Sequence, residues 1–354
     1  MSTKETSLNI LLIGASGYIG GTILHALSLN DSFRVTTLTR KESSANAITA
    51  SYPNVRTLIG SLADQSTLRS AATTADVVVY AARNTQDGIV SILEGLAARR
   101  DVHSRNNKTE LQRTSALFIM ISAIISTSDP ADMGRLGEAP PETVQVLSDV
   151  SDVAAIMHLP DHHWHVGQER NFYRLTDQYG DGAIIPIIMS LPFMVGTGTG
   201  PVNRINFLHD FVSAVLHYKD HRPFTLGPGR NMWNWASPRD IAAAVTCTLH
   251  EWVKDRGNIE MRGYYFVEAG QFEIGDLARH VGRLLASDEC SVEVECEILE
   301  YTEFAKLLPD LPGLWGVNAL GRGDRLRSLG WKPEITSWQP LVEDCMTYVL
   351  GDKR

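Results

Sequence analysis

Three glycines, one basic strand end and a histidine cluster are the features of this 354-residue chain whose types and spacing can do chemistry. Gly14, Gly17 and Gly20 are spaced G-x-x-G-x-x-G inside LNILLIGASGYIGG, residues 8–21. Gly14 permits a tight turn out of a strand, Gly17 lets backbone approach a pyrophosphate, and Gly20 lets the following helix pack against a sheet. The free N–H groups and positive dipole end of that helix favour an anion. Gly14, Ser16, Gly17, Tyr18, Ile19 and Gly20 are therefore expected to hold a dinucleotide; the competing reading is a bare strand-to-helix turn. Arg40, followed by Lys41, stands at the end of the second β-branched run, where the adenosine ribose of such a ligand lies. An acid there accepts from a ribose 2′-OH, whereas a guanidinium pairs with a 2′-phosphate, so NADP is expected over NAD. A solvated strand-end arginine is the alternative. Asp161-His162-His163-Trp164-His165 concentrates side chains that titrate near pH ~6.5, and His163 and His165 are candidate general acids. On a continuous helix His165 and Glu169, at i and i+4, would share a face and the carboxylate would orient the imidazole. A solvated cluster at a helix entry competes with that reading. No metal site is expected, because adjacent histidines rarely converge on one centre.

The elements that must position these groups alternate regularly. Leu11 to Ile13 is a short apolar run suited to a strand covered on both faces, and Ile23, Leu24 and Leu27 continue a helix. Further strands are expected at 34–40, 55–59, 76–82, 117–122 and 183–191, with helices between, which argues a right-handed parallel βαβ series. The loop Gly60 to Asp64, with Leu62, is a candidate adenine-edge contact and helix cap. Ala81 and Ala82 end the fourth strand with side chains small enough for a cofactor to lie against the backbone. Residues 103–114 are polar and expected as a loop, residues 126–160 as an insertion beside the site, and 161–179 as a helix. Beyond Gly196 the pattern loosens, with a helix expected at 202–218 and a last one at 338–350. Trp233, Trp235 and Phe224 either line an apolar pocket or pack a lobe interface, Tyr173 is expected to pack, and Arg239-Asp240 to start a helix.

Composition narrows the class. Hydrophobic content of 44% and charged content of 21% suit an ordinary soluble globular protein. The net charge of −9 argues against nucleic acid as a partner. Cys247, Cys290, Cys296 and Cys345 lack C-x-x-C spacing, so reduced thiols are expected rather than a zinc site or disulfide framework. The polar start MSTKETSLN has no apolar signal core, and no apolar run approaches the ~18 residues of a membrane span, so a cytoplasmic protein is expected.

With these residues in place the chain resembles an extended short-chain dehydrogenase/reductase. The resemblance rests on GASGYIG at 14, GSLAD at 60, DVVVYAA at 76, FIMIS at 118, LPFMVG at 191, NWASPRDIAAA at 234 and LGWKP at 329, in order over nearly the whole chain. Its nearest flavour is the NmrA-like or epimerase-dehydratase-like branch of fungal type. It implies an α/β fold: a Rossmann-type doubly wound parallel sheet with a smaller C-terminal α/β substrate lobe. The division expected is 1–196 for the NAD(P)-binding domain, with 234–270 returning to it, and 197–354 mainly for the substrate lobe. It also implies nicotinamide chemistry on a small-molecule substrate, with a homodimer left open. The family keeps a hydroxyl at the end of the fifth strand, which makes Ser122 a catalytic candidate, although Ala123 can occupy that place and Ser122 can be a strand-end cap. The family's Tyr-x-x-x-Lys pair is absent: no tyrosine here has a lysine four residues later, and none of residues 109–218 is lysine. Counting back from Pro192 puts the pair near His163 and Gly167, or, shifted by two, His165 and Glu169. The expectation is an NADP-dependent oxidoreductase acting on a carbonyl, imine or activated alkene. An epimerase or dehydratase that uses its cofactor transiently, and a non-catalytic NAD(P)-sensing regulator, are the alternatives; an open apolar pocket would favour the enzyme.

Overall fold

The computed structural model describes residues 7–83, 85–106, 115–128, 134–180, 182–286, 294–310 and 312–351. Cys290, Pro130, the first six residues and most of the expected 103–114 loop lie outside them. Strand β1 (Leu8–Ile13), helix α1 (Tyr18–Ser28), β2 (Phe33–Thr39), α2 (Glu42–Ser51), β3 (Arg56–Ile59), α3 (Gln65–Ala72), β4 (Val77–Tyr80), α4 (Gln86–Asn106) and β5 (Ala116–Ala123) follow one another as right-handed βαβ units require. Helix α5 (Val166–Asp177) then leads to β6 (Ile184–Leu191). The chain leaves the sheet to build α6 (Phe207–His217), returns through α7 (Pro238–Lys254) to an edge strand, β7 (Gly263–Phe266), and ends with α8 (Ile274–Leu285) and α9 (Gln339–Gly351). The seven strands form one parallel sheet in the order β7-β6-β5-β4-β1-β2-β3. The order reverses between β1 and β4, and that switch point is where a crevice opens beyond the strand ends.

Both faces of the sheet are covered. Ile10, Leu12, Val77 and Ile119 join Ile23, Leu24 and Leu27 of α1 and Val245 and Leu249 of α7 in one buried layer. Leu11, Val78, Phe118 and Met120 join Leu93, Phe172 and Tyr264 in the other. Continuous burial along β4, β6 and β7 follows, which is why these strands read as unbroken apolar runs rather than alternating ones.

The C-terminal lobe is smaller and mixed. Met232–Ala236 pairs antiparallel with Gly270–Glu273 and parallel with Phe193–Met194, and Phe224–Leu226 pairs with Glu297–Leu299. Phe193 is its hub, with ring centroids 4.7 to 5.9 Å from Phe207, Trp233, Phe272 and Trp315. Trp235 and Phe224 are buried packing residues. The segment expected as an insertion folds back on the edge of the main sheet. Its Leu147–Ser148 pairs with Gly321–Arg322, and the Asp149 carboxylate accepts from the backbone N–H of Phe266 (2.8 Å) and Arg325 (2.9 Å). Three expected boundaries are corrected. Helix α4 runs on to Asn106, α5 starts at Val166 rather than 161, and α6 starts at Phe207, where Asn206 caps it. No helix among the described residues is long and apolar enough to cross a membrane.

Candidate active site

Two chambers meet at the carboxyl ends of the strands. The first, about 750 Å³, runs from Gly14, Ser16 and Gly17 past Thr39 and Arg40 to Gly60–Ala63, including Leu62. The second, about 700 Å³, lies under the C-terminal lobe and is walled by Met120, Ser122, Trp164, His165, Glu169 and Trp233. Ala81, Ala82 and Arg83 line both, so the end of β4 is the passage between them.

The glycine turn is shaped for close backbone approach. Gly14 has φ +95°, and a Cβ there would lie under 3.0 Å from the Ala81 carbonyl oxygen. A side chain at Gly20 would strike the Gly14 carbonyl in the same way, so this glycine packs the helix against its own turn rather than against the sheet. Gly17 is the N-cap of α1, makes no side-chain cap, and is followed by a first turn without acids. The leading N–H groups of α1 therefore meet no side-chain cap and no acid, as an anion site requires. These residues fit the dinucleotide expected from their spacing. Ile19 faces the second chamber; the Tyr18 ring points elsewhere, its hydroxyl donating to the Gly196 carbonyl at 2.7 Å. Arg40 is exposed at the rim of the first chamber, one residue beyond β2.

Of the residues singled out for chemistry, Ser122 and His165 line the second chamber and His163 does not. His163 is buried, with Nδ1 3.2 Å from the Ser126 carbonyl oxygen, and serves the packing of the turn before α5. His165 is the N-cap of α5 in a left-handed conformation (φ 64°). Because the helix starts after it, His165 and Glu169 are linked by a backbone bond, Glu169 N–H to His165 carbonyl at 2.9 Å, and the imidazole–carboxylate pairing expected from their i, i+4 spacing does not form. The crowded chamber wall holds the His165 imidazole below its usual pKa, with a hydrogen bond to Gln168 opposing the shift.

Glu169 finds different partners. The buried stripe of α5 is Val166, Glu169, Phe172, Tyr173 and Thr176, so a carboxylate sits in the apolar face that packs on the sheet. Ser122 Oγ on β5 and the Tyr264 hydroxyl on β7 both hydrogen-bond it. The Ser122 side chain thus faces α5, and is not a cap on its own strand. Glu169 is 1% exposed, and burial pushes its carboxyl up to about 7 against the lowering effect of those two bonds. The sequence signal for this group was a lone acid in the apolar stripe of an amphipathic helix. Tyr173 packs against Tyr264, its ring beneath the Arg262 guanidinium.

Comparison with known proteins finds similarity in sequence and in fold. A family model described as NAD(P)H-binding matches residues 14–154. An oxidase of an Acremonium species, ucsJ, is 29% identical over 337 residues, covering 92% of this chain and 92% of that protein. Among solved structures, UDP-glucuronic acid 4-epimerase from Bacillus cereus in complex with NAD superposes with a TM-score of 0.64 at 14% identity, over 98% of this chain and 100% of the other. The dTDP-glucose 4,6-dehydratase from Bacillus anthracis, also with NAD, gives 0.64 at 13% identity over 98% of each chain. Residues 14–154 thus match an NAD(P)H-binding domain, and the chain has the fold of these NAD-bound epimerase and dehydratase structures. The match begins at Gly14, the first glycine of the turn between β1 and α1.

Proposed function

We propose that this chain is an NADP-dependent oxidoreductase that reduces a carbonyl, imine or activated alkene of a small, fairly apolar organic molecule. The observation that carries the reading is the continuity of the two chambers through Ala81, Ala82 and Arg83. A dinucleotide anchored on the glycine turn has a path along β4 into a cavity that ends at a hydroxyl and a buried carboxyl. Gly14, Ser16, Gly17 and the start of α1 would hold the pyrophosphate, Leu62 and its neighbours the adenine side, and Arg40 the 2′-phosphate. When bound, a reduced nicotinamide supplies the hydride equivalent. The protein's part is to bury the acceptor between Ile19, Met120, Leu191, Met194 and Trp233, keep water away, and present Ser122 and His165 to it. The Acremonium oxidase supports redox chemistry.

The open apolar cavity weighs against a regulator that only senses the dinucleotide, since such a protein has no use for a chamber of substrate size. An epimerase or dehydratase reading draws on the epimerase and dehydratase neighbours. It fits less well, because the wall is mainly apolar and a sugar nucleotide needs donors for its hydroxyls and diphosphate.

Fluorescence titration with NADPH and NADH tests the cofactor assignment. Arg40→Ala should collapse the preference for NADPH, by about tenfold or more for a lost charge-assisted contact of about 1.5–3 kcal/mol. An unchanged NADPH/NADH affinity ratio would remove the 2′-phosphate assignment. Consumption of NADPH against a panel of aldehydes, ketones and imines tests the chemistry.

A further inference from the structure

We propose that Ser122 and Glu169 form a two-residue proton relay that replaces the absent tyrosine–lysine pair, with Ser122 Oγ exchanging the proton with substrate and Glu169 restoring it. The inference rests on the oxidoreductase reading and adds a residue, Glu169, that the cofactor fit does not require.

Three observations support it. Ser122 and Glu169 both line the second chamber and are hydrogen-bonded to each other from different elements, β5 and α5. Glu169 occupies the buried stripe of α5, where a carboxyl is costly and an apolar residue would pack without penalty. The groups around it leave it poised instead of neutralising it. Ser122 on β5, Tyr264 on β7 and Tyr173 on its own helix are uncharged, and Tyr264 and Tyr173 are held well above their ordinary range by burial. His165, one turn back, is held towards its neutral form. Arg262 acts on Tyr173, over whose ring its guanidinium lies, and Arg170 on Tyr264; neither is among the groups shifting Glu169. Burial therefore sets this carboxyl, bringing it near neutrality, where an acid is populated in both protonation states.

The step balances as follows. Hydride addition at the substrate carbon breaks the C=O or C=N π bond and leaves its electron pair on oxygen or nitrogen. The Ser122 O–H bond breaks and its proton goes to that atom. The Glu169 carboxyl O–H breaks in turn and reprotonates Ser122 Oγ, leaving the carboxylate, which takes a proton from solvent. Two electrons come from the reduced nicotinamide dinucleotide and one proton from water; oxidation of an alcohol or amine runs the same path backwards.

The test has a readout that needs no turnover. In the ligand-free protein carrying ¹³C-labelled glutamate carboxyls, one resonance should titrate near pH 7, disappear in Glu169→Gln and persist in Ser122→Ala. NADPH consumption, on whichever acceptor of the panel wild type reduces, should lose its ionisation near 7 in Glu169→Gln and fall by about 10²–10⁴-fold in both variants, the scale of general acid catalysis. Glu169→Asp should restore part of the rate with a shifted profile. If Glu169 titrates in the ordinary carboxylate range, or Glu169→Gln keeps the wild-type pH profile, the relay is wrong. NADPH binding separates this from the reading beneath it: a variant that binds NADPH like wild type tests the relay, whereas failure of wild type to bind NADPH removes the oxidoreductase itself.

Discussion

Tyr18 shows how a residue in a cofactor motif can serve the frame instead of the ligand. Its position beside Gly17 marks it as a cofactor contact, yet its hydroxyl, buried and raised well above the ordinary tyrosine range by that burial, spans 178 positions of chain to the Gly196 carbonyl. That bond ties the start of α1 to the segment that follows the Phe193–Met194 strand. Tyr18→Phe should cost about 1–3 kcal/mol, because a buried carbonyl loses its donor, with little change in NADPH affinity. Urea denaturation alongside a cofactor titration would measure both. Ser122 and Glu169 behave oppositely: each is ordinary in sequence and acquires its chemistry from the neighbour.

Among the elements, α1 gives the sharpest contrast between stability and function. Helices gain from acids in the first turn and from a side-chain cap, and α1 has neither. Ser16→Asp supplies a negative charge next to the N-cap. By the helix dipole alone it should leave the fold as stable or stabilise it by about 0.3–1 kcal/mol. The same charge faces the pyrophosphate position, so dinucleotide affinity should drop by tenfold or more; a gain in melting temperature without loss of NADPH binding would mean that the ligand does not sit there. Helix α7 takes the opposite arrangement: Ser237 Oγ accepts from the Asp240 N–H at 2.9 Å and donates to its carboxylate at 2.7 Å. That is a closed cap.

At the scale of the whole molecule, Asp149 fastens the 134–160 segment to the edge of the main sheet. It is fully buried, and burial pushes its carboxyl from 3.8 up to about 6, the backbone N–H donors of Phe266 and Arg325 opposing the shift. The folded chain therefore holds a proton that the unfolded chain has released. Stability contributed by this group is complete below pH ~4 and is lost as pH rises through 6, by roughly 3 kcal/mol at 1.36 kcal/mol per unit. Denaturation curves at pH 4 to 7 should show this decline in wild type and a smaller one in Asp149→Asn; equal slopes would place the titrating group elsewhere. Glu169 adds a decline of the same sign between about pH 4.5 and 7.

The sequence by itself determined the parts whose physics is local. A strand buried on both faces, a turn needing φ above zero at Gly14 and a helix with an open N-terminus are adjacent in the chain, and their spacing specifies them. The Asp64 cap of α3, whose carboxylate accepts from the Thr67 N–H at 3.1 Å, was legible for the same reason. The partners of the site residues were not. Ser122 and Glu169 are 47 positions apart, and Tyr264 comes from a strand that rejoins the sheet after the C-terminal lobe has been started. Their meeting depends on β5 and β7 lying on either side of β6, with α5 packed across them. Local spacing paired Glu169 with His165; the tertiary structure paired it with Ser122, because the left-handed His165 is the N-cap of a helix that begins only at Val166, and packing against the sheet chooses which side chains face inward.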